Sequence, residues 1–177
     1  MTFQKIKVIL FDVGGTLIHT IEPLIAAISM AFEQNKIKVP SSEEIIAQLG
    51  KSATKIIRAI LPKELSNFEE KAEECILSFQ EIFPNKVLDE FKAIDGVQKT
   101  LKTLTDANYR LGVITALRRV ELDKLLTKFD LNPYFEGFVT ANDVQNIRPS
   151  PEIVNKAINL LNVKPREAIC VGDTVND

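Results

Sequence analysis

The chain has 177 residues, 45% of them hydrophobic and 26% charged, with 22 Lys plus Arg against 24 Asp plus Glu. These proportions describe an ordinary soluble globular protein of one substantial domain, with or without a small second lobe, and exclude a disordered chain. The formal charge of −2 leaves no basic excess for a nucleic-acid backbone, no apolar run approaches the roughly 18 residues of a membrane span, and the N-terminus lacks a signal peptide's apolar stretch; neither nucleic acid nor membrane is an expected partner.

Ile6, Val8, Ile9, Leu10 and Phe11 form a nearly continuous apolar run ending at Asp12, the pattern of a strand buried on both faces in a parallel sheet. Gly14 and Gly15 break it. Residues from about 21 to 92 read as helical, with no convincing strand. Ile21, Leu24, Ile25, Ile28 and Phe32 follow a helical stripe. Ser41 with Glu44 has capping-box spacing ahead of Ile45, Ile46 and Leu49, and Ser66 with Glu69 repeats it ahead of Ala72, Cys75, Ile76, Phe79, Ile82 and Phe83. Between them, Ile56, Ile57, Ile60 and Leu61 form a stripe that ends at Pro62. Four stripes with short connections predict a small helical bundle.

From Asp95 the pattern alternates. A helix with Val97, Leu101 and Leu104 precedes a strand over Arg110 to Thr115, and a helix with Val120, Leu122, Leu125, Leu126 and Phe129 precedes a strand over Phe135 to Thr140. The next helix begins Ser150-Pro151-Glu152, with serine as N-cap and proline at the first helical position. The last strand is Ala168 to Gly172, and Cys170 within it reads as a small core residue. Cys75 and Cys170 are the only cysteines and show no metal spacing, which makes a reducing, cytoplasmic setting the simplest inference. The expected fold is α/β: a Rossmann-like parallel sheet core from residues 1–17 and 93–177, with a helical cap domain over 18–92 inserted after the first strand.

The predicted strands end at Asp12, at Thr115 and at Gly172-Asp173. Ligands of open α/β sheets bind outside the carboxyl ends of the strands, so one edge gathers two carboxylates and a hydroxyl. Arg148 precedes a helix that brings it to the same edge, and Asp177 follows Asp173 closely enough for both to face one ion. Singly, each residue has a plainer reading: a turn aspartate, a strand-end threonine, a surface arginine, and carboxylates at a helix start.

The ordered set FDVGGTL, VIT, RPSP and VGDTVND resembles the four motifs of the haloacid dehalogenase superfamily, and the helical insert lies where the phosphoglycolate-phosphatase-like members carry a cap. The resemblance implies a phosphatase acting on a small phosphorylated metabolite. Asp12 would be the nucleophile that forms an aspartyl-phosphate. Mg²⁺, which prefers hard oxygens, would take Asp12, the Gly14 carbonyl and Asp173, with Asp177 bound directly or through water. Thr115 would hydrogen-bond a phosphoryl oxygen, Arg148 would neutralise charge on the phosphoryl group and Asp12, and the Gly14-Gly15-Thr16 turn would aim N–H groups at phosphate oxygens.

Two positions depart from the pattern. Gly14 stands where the family has a second aspartate that protonates the leaving group, help worth roughly 10²–10⁴ in rate. Arg148 stands where lysine is commoner, replacing a point charge by a planar fork. Gly14 leaves three readings open: a phosphatase whose leaving group needs little protonation or whose acid comes from the cap, a binding protein without turnover, or C–halogen or C–P cleavage. The metal-binding form of VGDTVND argues against dehalogenation. C–P cleavage in the family uses a cap lysine, for which Lys36, Lys38, Lys51 and Lys55 qualify by presence alone.

Leu49-Gly50-Lys51-Ser52 lies between two cap helices and resembles the loop that such caps point at the site; Lys51 and Ser52 would contact the substrate, unless this is a plain interhelical turn. Arg118 and Arg119 read as a solvated helix start, and His19 as packing or surface. Relatives normally continue past the fourth motif with a helix and a strand, so the core ending at Asp177 is expected to lack its C-terminal strand and helix.

Overall fold

A computed structural model describes residues 6–49, 51–85 and 87–174. Two compact units emerge: Met1–His19 with Lys92–Asp177, and Thr20–Phe91.

The first unit is a four-stranded sheet, all parallel, in the order β5-β4-β1-β6. Its strands are β1 (Val8–Phe11), β4 (Arg110–Ile114), β5 (Gly137–Val139) and β6 (Ala168–Val171). β1 lies between β4 and β6 and all four of its residues are buried, the burial that its unbroken apolar run requires. Between the strands run α5 (Val97–Asp106), α6 (Arg119–Lys128) and α7 (Glu152–Leu160). Val8, Leu10, Ile114 and Val139 pack with Ile153, Ala157, Ile158 and Leu161 from α7 and its C-terminal end. The close approach depends on Gly112 and Gly137. A Cβ at Gly112 would lie 2.8 Å from Leu161 Cδ1, and one at Gly137 would lie 3.0 Å from Leu161 Cδ2.

A two-stranded antiparallel ladder, β2 (Ile18–His19) with β3 (Lys92–Ala93), closes the turn after β1. Sequence reading misses it, because two residues carry no periodicity. Cys170 also departs from expectation: it is exposed, as is Ile169 at 42%. β6 pairs only with β1 among the described residues, so it sits at the edge of the sheet rather than inside it. α7 begins at Glu152, one residue later than proline at its first position would give, although the Ser150 hydroxyl still accepts from Glu152 N–H at 3.3 Å.

The second unit is helical: α1 (Ile21–Gln34), α2 (Ser42–Ile46), α3 (Ala53–Ile60) and α4 (Phe68–Asn85). α1 and α4 form its main pair, burying Ala27, Ile28, Ala31 and Phe32 against a face that includes Ala72, Cys75, Ile76, Phe79, Ile82 and Phe83. Asn35 ties the end of α1 to α4, donating to Ala31 O and Ser78 Oγ at 2.7 and 2.9 Å. Burial pushes the Cys75 thiol up to about 11, so it behaves as an inert core group. The Ser41–Glu44 capping box forms as its spacing predicts. The Ser66–Glu69 box does not: α4 starts at Phe68, and Asn67 Nδ2 donates to Glu70 Oε2 at 3.2 Å, one residue further on. No helix among the described residues is long and apolar enough to cross a membrane.

Candidate active site

Parallel strands place their carboxyl ends on one side of the sheet, and the register sets neighbours there. Phe11 pairs with Val113 of β4 and with Val171 of β6, so Asp12 leaves the sheet between the ends of the two flanking strands. Asp12 N–H donates to Val171 O at 2.9 Å, continuing the ladder one residue past the strand. The Asp12 side chain is 9% exposed. Thr115, 2% exposed, donates its N–H to Val139 O at 3.0 Å, and its hydroxyl accepts from Leu117 N–H at 3.2 Å.

Arg148 joins them from the loop between β5 and α7, and its Nη2 donates to Asp12 Oδ1. The pair spans 136 residues of chain and is almost buried, with Arg148 at 10%. Burial pushes the Asp12 carboxyl above its usual range; the Arg148 guanidinium opposes this, and the nearby Asp173 charge adds to it.

Several residues that sequence reading passed over hold this loop. Thr140 is fully buried, and its N–H and hydroxyl both donate to Asp143 Oδ2, at 2.8 and 2.7 Å. Lys156 Nζ donates to Asp143 O. Glu152 accepts from Gln145 N–H and Asn146 N–H at 2.8 and 2.9 Å. The Thr140-x-x-Asp143 spacing, a local polar turn signature, was the available signal.

The turn after β1 is tight. Leu17 and Ile18 N–H donate to Val13 O at 2.9 and 3.0 Å, and Gly15 N–H donates to Ile18 O at 2.8 Å. Gly15 N–H is therefore engaged inside the turn rather than presented to an anion; the N–H groups of Gly14 and Thr16 have no backbone acceptor among the described residues. What Gly15 supplies is space. Its φ of +77° suits glycine, and a Cβ there would lie 2.0 Å from Asp173 Oδ2. The Thr16 hydroxyl oxygen is buried with no hydrogen-bond partner among the described residues. A buried hydroxyl left this way costs free energy unless a ligand satisfies it.

The predicted site residues thus divide. Asp12, Thr115 and Arg148 meet at one sheet edge, with the Gly14–Thr16 turn and Asp173 beside them. Asp177 lies outside the described residues, as does Gly50. Lys51 and Ser52 belong to the helical unit: Lys51 is exposed and donates to Gln48 Oε1 at 2.5 Å, and Ser52 caps α3 by accepting from Lys55 N–H at 3.4 Å. Arg118 pairs with Glu121 at 2.8 Å, and Arg119 pairs with Asp123 at 2.8 Å and lies over the Phe138 ring. His19 is exposed on β2. No group of three metal-ligating side chains occurs among the described residues. Asp12 nevertheless feels the charge of Asp173, and the two carboxylates are a hard-oxygen set that suits a divalent cation.

Residues 9–177 match the haloacid dehalogenase-like hydrolase family. A pyrophosphatase PpaX of Halalkalibacterium halodurans is 30% identical, over 98% of this chain and 78% of its own length. The crystal structure of a HAD-superfamily hydrolase (subfamily IA, variant 1) from Geobacter sulfurreducens superimposes with a TM-score of 0.76 at 26% identity, over 97% of this chain and 81% of that one. That of a predicted phosphoglycolate phosphatase from Haemophilus somnus shares the fold, with a TM-score of 0.83 at 22% identity over 98% and 80%. With the motifs, the parallel sheet and the family match in agreement, the chain belongs to the haloacid dehalogenase-like hydrolases, with an α/β fold.

Proposed function

We propose that the protein is a Mg²⁺-dependent phosphatase that hydrolyses a small phosphorylated metabolite through an aspartyl-phosphate on Asp12. The observation that carries this is the buried Asp12–Arg148 pair at the carboxyl edge of the sheet, with the Thr16 hydroxyl, unpartnered among the described residues, on the adjoining turn. Similarity to a pyrophosphatase supports phosphoryl transfer as the reaction class.

In this reading Asp12 attacks phosphorus, and water later hydrolyses the acyl phosphate, so that one hard step becomes two easier ones. Arg148 restrains the attacking carboxylate and neutralises phosphoryl charge. The Thr115 hydroxyl donates a hydrogen bond to a phosphoryl oxygen, its own oxygen accepting from Leu117 N–H so that its hydrogen is left to donate. The Thr16 hydroxyl and the Gly14 and Thr16 N–H groups complete the cradle. Asp12, the Gly14 carbonyl, Asp173 and Asp177 are the proposed holders of Mg²⁺. The bound ion supplies positive charge that offsets repulsion between Asp12 and the anionic substrate. The helical unit Thr20–Phe91, near the 18–92 expected from sequence, is the proposed cap that chooses the substrate, and Lys51 and Ser52 are its candidate substrate-binding residues. The two free cysteines accord with a reducing, cytoplasmic setting.

Phosphate release from a broad panel of phosphorylated metabolites, with and without Mg²⁺, tests the proposal. Turnover that needs Mg²⁺ and vanishes in Asp12→Asn supports it. Retained activity in that variant refutes the nucleophile. A panel without any turnover favours the second reading, suggested by Gly14, of a binding protein that has lost catalysis.

A further inference from the structure

We infer that Glu152, on the first turn of α7, is a positioning residue for Arg148: its carboxylate clamps the loop that carries the arginine to a helix locked in the core. The inference rests on the phosphatase reading above and adds to it how the Arg148–Asp12 pair is kept in place.

Arg148 stands on the connection over residues 140–151, between β5 and α7. A long side chain on a loop has many rotamers and inherits the motion of its backbone. Arg148 is nevertheless only 10% exposed, and its Nη2 donates to Asp12 Oδ1 from 136 residues away. Something must fix the loop.

Glu152 holds the chain on both sides of the arginine. Before it, Oε1 accepts from Gln145 N–H at 2.8 Å, and Oε2 accepts from Asn146 N–H at 2.9 Å and from Asn146 Nδ2 at 3.3 Å. After it, Glu152 N–H donates to Ser150 Oγ at 3.3 Å, and Ser150 N–H donates to Ile147 O at 3.2 Å, closing a turn with Arg148 inside. Asn146 is two residues from Arg148, so at most about 7 Å of extended chain separates them. One helical turn further on, Lys156 Nζ donates to Asp143 O, a second tie from the face that Glu152 shares. Elsewhere on α7, Ile153, Ala157 and Ile158 pack in one cluster with Val8 and Leu10 of β1. β1 leads into Asp12 and α7 holds Arg148, so the seating of this helix on this strand sets where the two charges meet.

The task needs a carboxylate. Two successive N–H groups call for two acceptors, and an ionised carboxylate has two oxygens and no donor. A glutamine amide has one oxygen and would turn its NH₂ toward the other N–H. The bonds are charge-assisted, and with the Lys156 charge they hold the Glu152 carboxyl below its usual range, so it is ionised at neutral pH. An acidic residue on a first turn also favours the helix dipole. That benefit is purely structural and does not involve Arg148, so the two roles can be separated by experiment.

The test compares the full chain with its Glu152→Gln variant, which keeps the size of the side chain and removes one acceptor. Arg148 side-chain signals are assigned in proton–nitrogen NMR by their loss in Arg148→Met. In the wild type the Nη protons should give separate signals, because the bond to Asp12 slows rotation of the guanidinium; in Glu152→Gln they should merge. With Mg²⁺ and p-nitrophenyl phosphate, kcat/KM should fall by about 10²-fold in Glu152→Gln, the scale of a misplaced catalytic group. Binding of inorganic phosphate should weaken in Glu152→Gln, but no further when the substitution is made in Arg148→Met, since the two act as one unit. Leu101→Ala, a truncation of a fully buried side chain of α5, controls for lost stability and should leave the Arg148 signals separate. If Glu152→Gln does not fold, Lys156→Met removes the second tie and should broaden the same signals. Arg148 signals already merged in the wild type, or unchanged in the folded variant, overturn the positioning role. So does an equal loss of phosphate affinity in the Arg148→Met background, or an equal effect from Leu101→Ala. A chain that hydrolyses no p-nitrophenyl phosphate while its Arg148 signals respond as expected overturns the phosphatase reading and leaves the positioning intact.

Discussion

Asp12 and Arg148 are each about nine-tenths buried, so neither charge can be removed alone without stranding the other. Arg148→Met should cost about 3–5 kcal/mol in urea unfolding, because it leaves a buried carboxylate uncompensated. The double variant Asp12→Asn with Arg148→Met should recover much of that loss; a strictly additive double-mutant cycle would contradict the coupling. A different constraint acts at Gly15, where a methyl group would collide with the Asp173 carboxylate and φ is positive. Gly15→Ala should lower the unfolding midpoint and weaken the proposed Mg²⁺ binding in calorimetry, by displacing Asp173. At this scale the sequence was readable where a motif fixes a residue to a strand end, as for Asp12 and Thr115. Contacts made by folding were not readable: the seat of Asp173 on Gly15, the engaged N–H of Gly15, and the Thr140–Asp143 bonds behind Arg148.

Helices and strands were legible in proportion to their length. The strands β1, β4, β5 and β6 and the helices α5 to α7 follow unbroken runs or long stripes, whereas β2 and β3 carry two residues each and left no pattern. The start of α4 slipped by a residue: it begins at Phe68, and Asn67 rather than Ser66 bonds a side chain of its first turn, that of Glu70. The α7-to-sheet contact is the place to test packing. Leu161 fills the space over Gly112 and Gly137, so Leu161→Ala should cost about 2–5 kcal/mol. Gly112→Ala should cost about 1–3 kcal/mol from overpacking against Leu161 and Leu10. Together they should destabilise less than their sum, because the added methyl partly fills the cavity that the truncation leaves; equilibrium denaturation of the set measures this.

At the scale of the whole molecule, acid should loosen the loop that delivers Arg148. Hydrogen bonds from Thr140 hold Asp143 below the usual carboxylate range, and the N–H groups of Gln145 and Asn146 do the same for Glu152. A lowered carboxyl contributes stability at pH values above its unfolded value and loses it as pH falls through the folded one. Unfolding midpoints should therefore drop as pH falls from about 5 toward 3, and Asp143→Asn should shallow that drop; an unchanged pH profile would show that the loop is held otherwise. The order of the sheet has one more consequence, in time rather than space. Of the four strands of the sheet β1 leaves the ribosome first, yet Val8 pairs with Arg110 on one side and Ala168 on the other. At typical synthesis rates its second neighbour arrives on the order of 10–30 s later. Throughout that interval the nascent chain carries an apolar strand, Val8–Phe11, with at least one edge unpaired, while the contiguous helical segment emerges behind it. The strand that leads into Asp12 is thus made before its sheet neighbours and is among the last to be paired on both sides, which leaves it open to aggregation and to chaperone capture.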